Sequence, residues 1–343
     1  MNAIPFLKSS NPGHGGSVGD WLARARLGAP RTHRDIVIWP LFASGGNGTS
    51  YRTLDEAIAS SQARVTEVSE HGSVPQLKVI NQSPDSLLIL DGEELIGAKQ
   101  NRVVNATLLL MARSETIIPV SCTEQGRWHH VSNAFSSSDV VMEMKVRRAK
   151  MRSVSDSLQA GSGHASDQGE VWNEIQALHA KAMHASATHA MHDLFVEREN
   201  DLRAALAAFT AEPGQHGLLV SIRGQVVGCD MLSRADAYGR LHGKLVRSYV
   251  LDALLGAPGE PKADEAQARE FLAGAAKCRE ERFPSVGCGE SVRLQNGSTA
   301  GAALIHEGTV IHVALFRLDP TEQAETESRR MAHLAQRRRR FWS

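Results

Sequence analysis

The spacing of hydrophobic residues changes period twice along this chain, which limits the folds open to it. From Val65 to Cys122 the apolar residues fall in short runs: Val65 to Val68, Leu77 to Asn81, Leu87 to Leu90, Leu95 to Ile96, Val103 to Met111 and Ile117 to Cys122. Turn signals such as Ser83-Pro84-Asp85 and Ser114-Glu115 divide them, so they read as strands. Ile36 to Leu41 reads as a buried strand ahead of them, and Thr53 with Glu56 has the spacing of a capping box. At Asp167 the period becomes helical. Val171, Ile175, Leu178 and Ala182 share one face, and a second helix runs through Met191, Leu194, Leu202, Leu206 and Phe209 to Pro213-Gly214. Further helices are expected from Ser233 to Leu255 and from Asp264 to Arg282. Strand spacing then returns near Val292 and from Ala302 to Phe316.

This order predicts an α+β fold: an antiparallel, sandwich-like β assembly with a helical segment, about 167–283, packed against it. Residues 34–318 form one domain in this reading. Residues 1–33 are a mostly disordered lead with one short helix around Trp21. The Ser-rich stretch 134–169, with Arg147-Arg148-Ala149-Lys150, is a mobile loop around a short helix. Residues 319–343 are an Arg-rich helix or tail opened by Asp319, Pro320 and Glu322.

Three dipeptides, Asp91-Gly92, Arg223-Gly224 and Glu307-Gly308, each stand between apolar runs as two-residue hairpin turns do. A duplicated half-domain and a coincidence of common hairpins both account for them.

Charge excludes one function class. Lys+Arg 38 balance Asp+Glu 38, so no protein-wide field draws the chain to nucleic acid. Only the Arg337 to Arg340 tail offers a local basic contact. Aromatic residues, at 5%, are too few for an extended base-stacking platform. The widely spaced Cys122, Cys229, Cys278 and Cys288 suit free thiols in a reducing compartment. No apolar run reaches the ~18 residues of a membrane span, and Lys8 is followed by a polar stretch instead of a secretory signal. The cytoplasm is the expected location.

Chemistry concentrates between Asp91 and Trp128. If Asp91-Gly92 is a hairpin turn, Glu93 and Glu94 sit on opposite faces, both beside leucine and isoleucine. Either a carboxylate is then desolvated toward acid/base duty or paired with a cation such as Arg102, or both stand exposed at a hairpin tip. Gln100 and Arg102 share one strand face, and Asn101 and Asn105 the other. A guanidinium there suits phosphate or carboxylate, or braces a loop. Glu124 shares parity with Cys122, and Arg127-Trp128 suits a nucleotide by charge and stacking, or a surface Arg packed on Trp. Cys122 with His129 or His130 is a nucleophile–base pair or a small buried hydrophobe. His179, His184 and His189 step by five and scatter around a helix, so no metal site is expected. A third polar group, Gly287 to Arg293, joins the first two if the strands are neighbours.

Several motifs together resemble a known family. They are Trp39-Pro40-Leu41, Tyr51 to Ala57, Gly92-Glu93-Glu94, Gly97-Ala98-Lys99-Gln100-Asn101-Arg102 with Asn105, Pro119 to Trp128, and Asp167-Gln168 with Val171-Trp172. The chain from about Asp35 to Leu318 resembles a prokaryotic family named for its association with ADP-ribosylglycohydrolase and rhodanese-phosphatase superfamily proteins. The resemblance implies the company of NAD and ADP-ribose metabolism, and no particular reaction. The leading expectation is an enzyme with hydrolase-type acid/base chemistry on an ADP-ribose-like or NAD-derived phosphorylated nucleotide. Glu94, Glu124 or Glu93 would be catalytic, and Gln100, Arg102, Asn105, Arg127 and Trp128 would bind substrate. The alternatives are a non-catalytic nucleotide-binding module or accessory partner of an ADP-ribose hydrolase, and a structural protein whose polar strands lock loops. No cofactor is implied.

Overall fold

The strands separate into three sheets in a computed structural model that describes residues 16–43, 49–69, 73–127, 132 and 134–324. The largest is a nine-stranded antiparallel sheet. Arg26–Leu27 and Arg31–His33 both pair with Ile36–Phe42. The order continues through Gly217–Ile222, Gln225–Leu232, Thr309–Arg317, Thr299–His306 and Glu290–Gln295 to Arg279–Pro284. A small sheet joins Leu108–Leu110, Ser86–Ile89 and Tyr51–Thr53.

The third is a closed barrel. Ser114–Cys122, Gln76–Asn81, Ala63–Glu67, Phe135–Val141, Glu93–Gly97 and Arg102–Val104 follow one another around it. This replaces the expected sandwich. Closure rests on Phe135, which pairs with Val65 on one side and Gly97 on the other, and on the register shift between Ser137 and Val141. A shift of that kind bends a strand and tightens its twist, which brings the two edges together.

Both faces of the open sheet are covered, as alternation in its strands requires. Ile36 and Ile38 join one core with the long helix Ala235–Leu255, while Val37, Trp39 and Leu41 join a second with helices Val18–Ala23 and Glu265–Ala275. In the described part of the lead, Val18 and Leu22 are buried, and Ser17 caps the helix expected around Trp21. A third core fills the barrel with Val65, Leu77, Val79, Leu95, Ile118 and Val120.

Most helices match their spacing. Thr53 and Glu56 form the reciprocal capping box, and Asp167 caps Gln168–Ala182. The helix from Met191 breaks at Arg198 into Met191–Glu197 and Glu199–Ala208. Residues 279–282, expected at the end of a helix, belong to the edge strand Arg279–Pro284. Asp319 and Glu322 exchange hydrogen bonds as a helix start should, but the Arg-rich tail beyond 324 lies outside the described residues.

Two expectations fail at neighbouring places. Arg223-Gly224 and Glu307-Gly308 are two-residue turns with positive φ, but Asp91-Gly92 is not a hairpin. Ser86–Ile89 pairs with Leu108–Leu110, whereas Glu93–Gly97 pairs with Phe135–Val141 and Arg102–Val104. The chain crosses from the small sheet into the barrel at Gly92. Residues 134–159 hold a strand, Phe135–Val141, and the sixteen-residue helix Met144–Gln159, so the loop shrinks to about 160–167. Arg147 and Lys150 on that helix have no solvent exposure, because Asp91 and Asp230 neutralise them. Among the described residues, no helix is long and apolar enough to cross a membrane.

Candidate functional site

Barrel parity decides which of the polar strand residues meet. Arg102 pairs with Cys122 across neighbouring strands, at the end of a barrel interior that also holds Val65, Val104 and Val120. Gln100 sits above them. Its Oε1 accepts from Arg102 Nη1 at 2.9 Å and from the Cys122 thiol at 3.2 Å, and its Nε2 donates to the Glu124 carbonyl at 3.0 Å. Gln168, the first residue of its helix, grips the Cys122 backbone by donating to its carbonyl and accepting from its N–H, at 2.9 and 2.8 Å. Burial pushes the Cys122 thiol upward, which favours the small buried hydrophobe over the nucleophile. His129 and His130 lie outside the described residues, as does Trp128.

Glu124 and Arg127 close the same end. Arg127 Nη2 donates to Glu124 Oε2 at 2.6 Å and to Asn101 Oδ1 at 3.0 Å, and its Nη1 donates to the Ala98 carbonyl. The Asn101 amide also reaches Glu124 Oε2, at 3.1 Å. Burial works against the Glu124 carboxylate, but Arg127 and that amide outweigh it and hold its pKa below the usual carboxylate range. An ionised, internally paired Glu124 is a poor proton donor at neutral pH. Arg102, fully buried, has its pKa lowered by burial. The Gln100, Arg102, Glu124 and Arg127 set therefore does come together, but as a buried brace for the loop 98–101.

Glu93 and Glu94 have other partners. Glu93 accepts from Lys244 Nζ at 2.7 Å and from the Leu90 amide at 3.0 Å; the same ammonium reaches Asp55 and Ser137. Glu93 is thereby committed to pinning the long helix to the barrel. Glu94 lies on the outer face of its strand and is equally buried, so the hairpin-tip alternative is excluded for both. Glu94 Oε2 stands 2.8 Å from His192 Nδ1, and its Oε1 has no hydrogen-bond partner. His192 comes from the second position of helix Met191–Glu197, fixed by a bridge between Glu124 and Ala190 and by the Met191 amide on the Thr123 carbonyl. Its side chain keeps 24% of its exposure. The hydrogen bond to Glu94 raises the His192 pKa against the opposing effect of burial. This is the arrangement of a general acid/base: a buried carboxylate orients the ring through Nδ1, and Nε2 is left for solvent or substrate.

Asn105 separates from the brace. Its Nδ2 donates to the His164 carbonyl at 3.0 Å, and its Oδ1 accepts from Ser121 Oγ at 2.6 Å. The charge of Arg293 acts on Asp91 and His164. His179, His184 and His189 gather where the helix reading scattered them, because the helix ends at Ala182 and Met183 turns left-handed. Ring centroids lie 5.5 Å (His179–His184) and 5.9 Å (His179–His189) apart, the first pair stacked. Among the described residues no group of three or more His, Cys, Asp or Glu has the geometry to hold a metal.

Sequence reasoning placed His189, His192 and Asp193 on one helix face but gave His192 no catalytic role. It also passed over Arg147. Met144, Arg147, Met151, Val154 and Leu158 form one 3-4-3-4 stripe, so the arginine occupies a core slot and needs a buried partner.

Residues 24–316 match the ARPP-1 family, the ARG and Rhodanese-Phosphatase-superfamily-associated Protein domain. The chain belongs to that family. The ARPP-1 region takes in the barrel, the small sheet, the Glu94–His192 pair and nearly all of the open sheet, and it begins within the lead, at Arg24. No curated protein and no solved structure gives a match.

Proposed function

We propose that this ARPP-1 protein is a hydrolase-type acid–base catalyst in which His192 moves the proton and Glu94 positions it. The observation that carries this reading is the 2.8 Å contact between His192 Nδ1 and a fully buried glutamate, with the imidazole itself still open to solvent. Glu94 thus keeps a catalytic role, as a positioning residue, and Glu124 and Glu93 are reassigned to structure. A positioned acid/base of this kind is worth about 10²–10⁴-fold in rate. The family resemblance supplies the first substrates to try, ADP-ribose and NAD-derived phosphorylated nucleotides, and a cytoplasmic setting suits the four free cysteines.

The test is product formation from a panel of such nucleotides by the full chain, His192→Ala and His192→Gln. Turnover should fall at least a hundredfold in both variants. A nucleotide hydrolysed equally by all three proteins would overturn the assignment.

A second reading, an accessory binding partner of the enzymes for which the family is named, draws on the surface beside this helix. Met183, 94% exposed, lines with His179, His184 and His189 a hollow of about 540 Å³, and Val196 on the following helix is 60% exposed. Association with a partner in the absence of any nucleotide turnover would favour it.

A further inference from the structure

A second polar cluster lies under the helix Met144–Gln159, apart from His192. Arg147 and Lys150 of that helix meet Asp91, Asp230 and His312 in an interior with no solvent exposure above a few per cent. Its hydrogen bonds are well accounted for. Asp230 takes both terminal nitrogens of Arg147, the Tyr249 hydroxyl at 2.8 Å and His312 Nε2 at 3.1 Å. His312 Nδ1 meets Thr107 Oγ1 at 2.8 Å. Asp91 takes Arg147 Nε and Lys150 Nζ, and Lys150 also caps the Val104 and Asn105 carbonyls.

Arg293 is the group left over. It comes from the strand Glu290–Gln295 and is 4% exposed, and its side chain makes one hydrogen bond, a long one of 3.3 Å to Ser291 Oγ. Its Nε is buried with no partner. Asp91 is the carboxylate that acts on it, and Asp91 is already held by Arg147 and Lys150. Three cations, Arg147, Lys150 and Arg293, thus face two carboxylates, Asp91 and Asp230. Burial draws the Arg293 pKa down to about 10, and the charge of Asp91 offsets this only in part. A buried guanidinium in this condition is costly unless something negative joins it.

His164 is the second incomplete group. It is 7% exposed, while Gln159 to Gly163 and Ala165 on either side are exposed. Asn105 holds its backbone carbonyl, its Nε2 is buried without a partner, and it feels the charge of Arg293. Gly161 and Gly163 have positive φ and open space where a Cβ would be, so the loop's other residues turn outward. His164 is thus the buried side chain of an otherwise exposed stretch, and it lies within reach of the Arg293 charge.

We propose that Arg293, His164 and Ser291 form a binding site for a tetrahedral oxyanion, free phosphate or the phosphate group of a nucleotide. The guanidinium edge supplies two donors and most of the charge, the imidazole Nε2 a third donor, and the Ser291 hydroxyl a fourth. Lys150 and Asp91 behind them hold the arginine in place. The site does not depend on the role of His192, so either assignment can fail alone.

Sodium phosphate, sodium chloride at matched ionic strength, and ADP-ribose are compared on the full chain by thermal shift and by NMR of the His164 ring. Phosphate should raise the melting temperature beyond the chloride control and move the His164 resonances, with its pKa rising from about 4 as an anion replaces a bare cation beside it. Arg293→Met should remove the phosphate response, and a fold check by circular dichroism accompanies it. It should also leave the ligand-free protein as stable as the parent or more so, since an unmatched buried charge is gone. His164→Ala, at a loop position, should weaken phosphate binding severalfold without unfolding the chain. An ADP-ribose response that is stronger than that of phosphate and lost in Arg293→Met identifies a nucleotide phosphate as the occupant. A phosphate response equal in Arg293→Met, an unmoved His164, or stabilisation by chloride alone overturns the proposal.

Discussion

Arg147 donates from both terminal nitrogens to the two oxygens of Asp230, at 3.0 and 2.8 Å, and neither side chain is exposed. The pair ties the helix Met144–Gln159 to the middle of the open sheet. Breaking a buried pair leaves an uncompensated charge, which costs about 3–5 kcal/mol. Arg147→Met should therefore lower the unfolding free energy by that much, read as a lower urea midpoint at an unchanged slope. A loss below 1 kcal/mol would show that the pair does not hold the layers together.

The same pair sets an acid limit. Burial opposes the Asp230 carboxylate, but Arg147 and His312 outweigh it and hold its pKa below the ordinary range. Its stabilisation is complete above the unfolded value of about 3.9 and is lost as pH falls from there toward the folded value. Acid unfolding followed by circular dichroism should steepen below about pH 4. Asp230→Asn should remove that component, and an unchanged acid limb in the variant would refute the linkage.

His192 titrates in the opposite sense. Its folded pKa is raised by Glu94, so its contribution to stability is complete below the unfolded value of about 6.5 and disappears as pH rises through the folded value. Glu94→Gln should lower the His192 pKa measured by NMR and shift any pH–rate profile with it. A resonance that titrates identically in both proteins would leave Glu94 without a positioning role.

Glu143 caps the helix Met144–Gln159 by accepting from the amides of Lys145 and Val146, yet burial and nearby Asp252 push its pKa upward. A raised carboxyl stabilises the fold most below its unfolded value of about 4.3, and that contribution is lost as pH rises. Glu143→Gln keeps an acceptor and removes the charge. It should raise the melting temperature at pH 8 and change little at pH 4; equal effects at both would exclude the proton linkage.

Gly19 tests the lead. An added Cβ there would stand 2.3 Å from the Ala276 carbonyl oxygen, which cannot yield without moving the backbone. Gly19→Ala should cost about 1–3 kcal/mol, as overpacking does. A neutral substitution would mean that the lead is not docked on the body.

The strands and helices of this protein were largely legible because each needs only its own spacing of apolar residues. The helix capped by Asp167, the strand Ile36–Phe42 and the capping box at Thr53 all follow from local patterns. Gln100, Arg102, Glu124 and Arg127 were legible as candidate polar residues, but the strand pairing of Arg102 with Cys122 that brings them together was not. Nor was what that cluster does. A guanidinium that grips phosphate and one that braces a loop have the same sequence, and the difference lies in whether acceptors such as Ala98 and Asn101 are within reach.

By itself the sequence determined the α+β composition and the positions of most elements. Tertiary structure decided that the strands close into a barrel, that Asp91-Gly92 links two sheets instead of turning back, and that Arg147 and Lys150 are interior. It also decided that Glu94 meets His192, ninety-eight residues away. The reason is common to all of these. Periodicity records which way a side chain points, but a charge is tolerated inside only beside its counter-charge, and that partner arrives from a distant part of the chain.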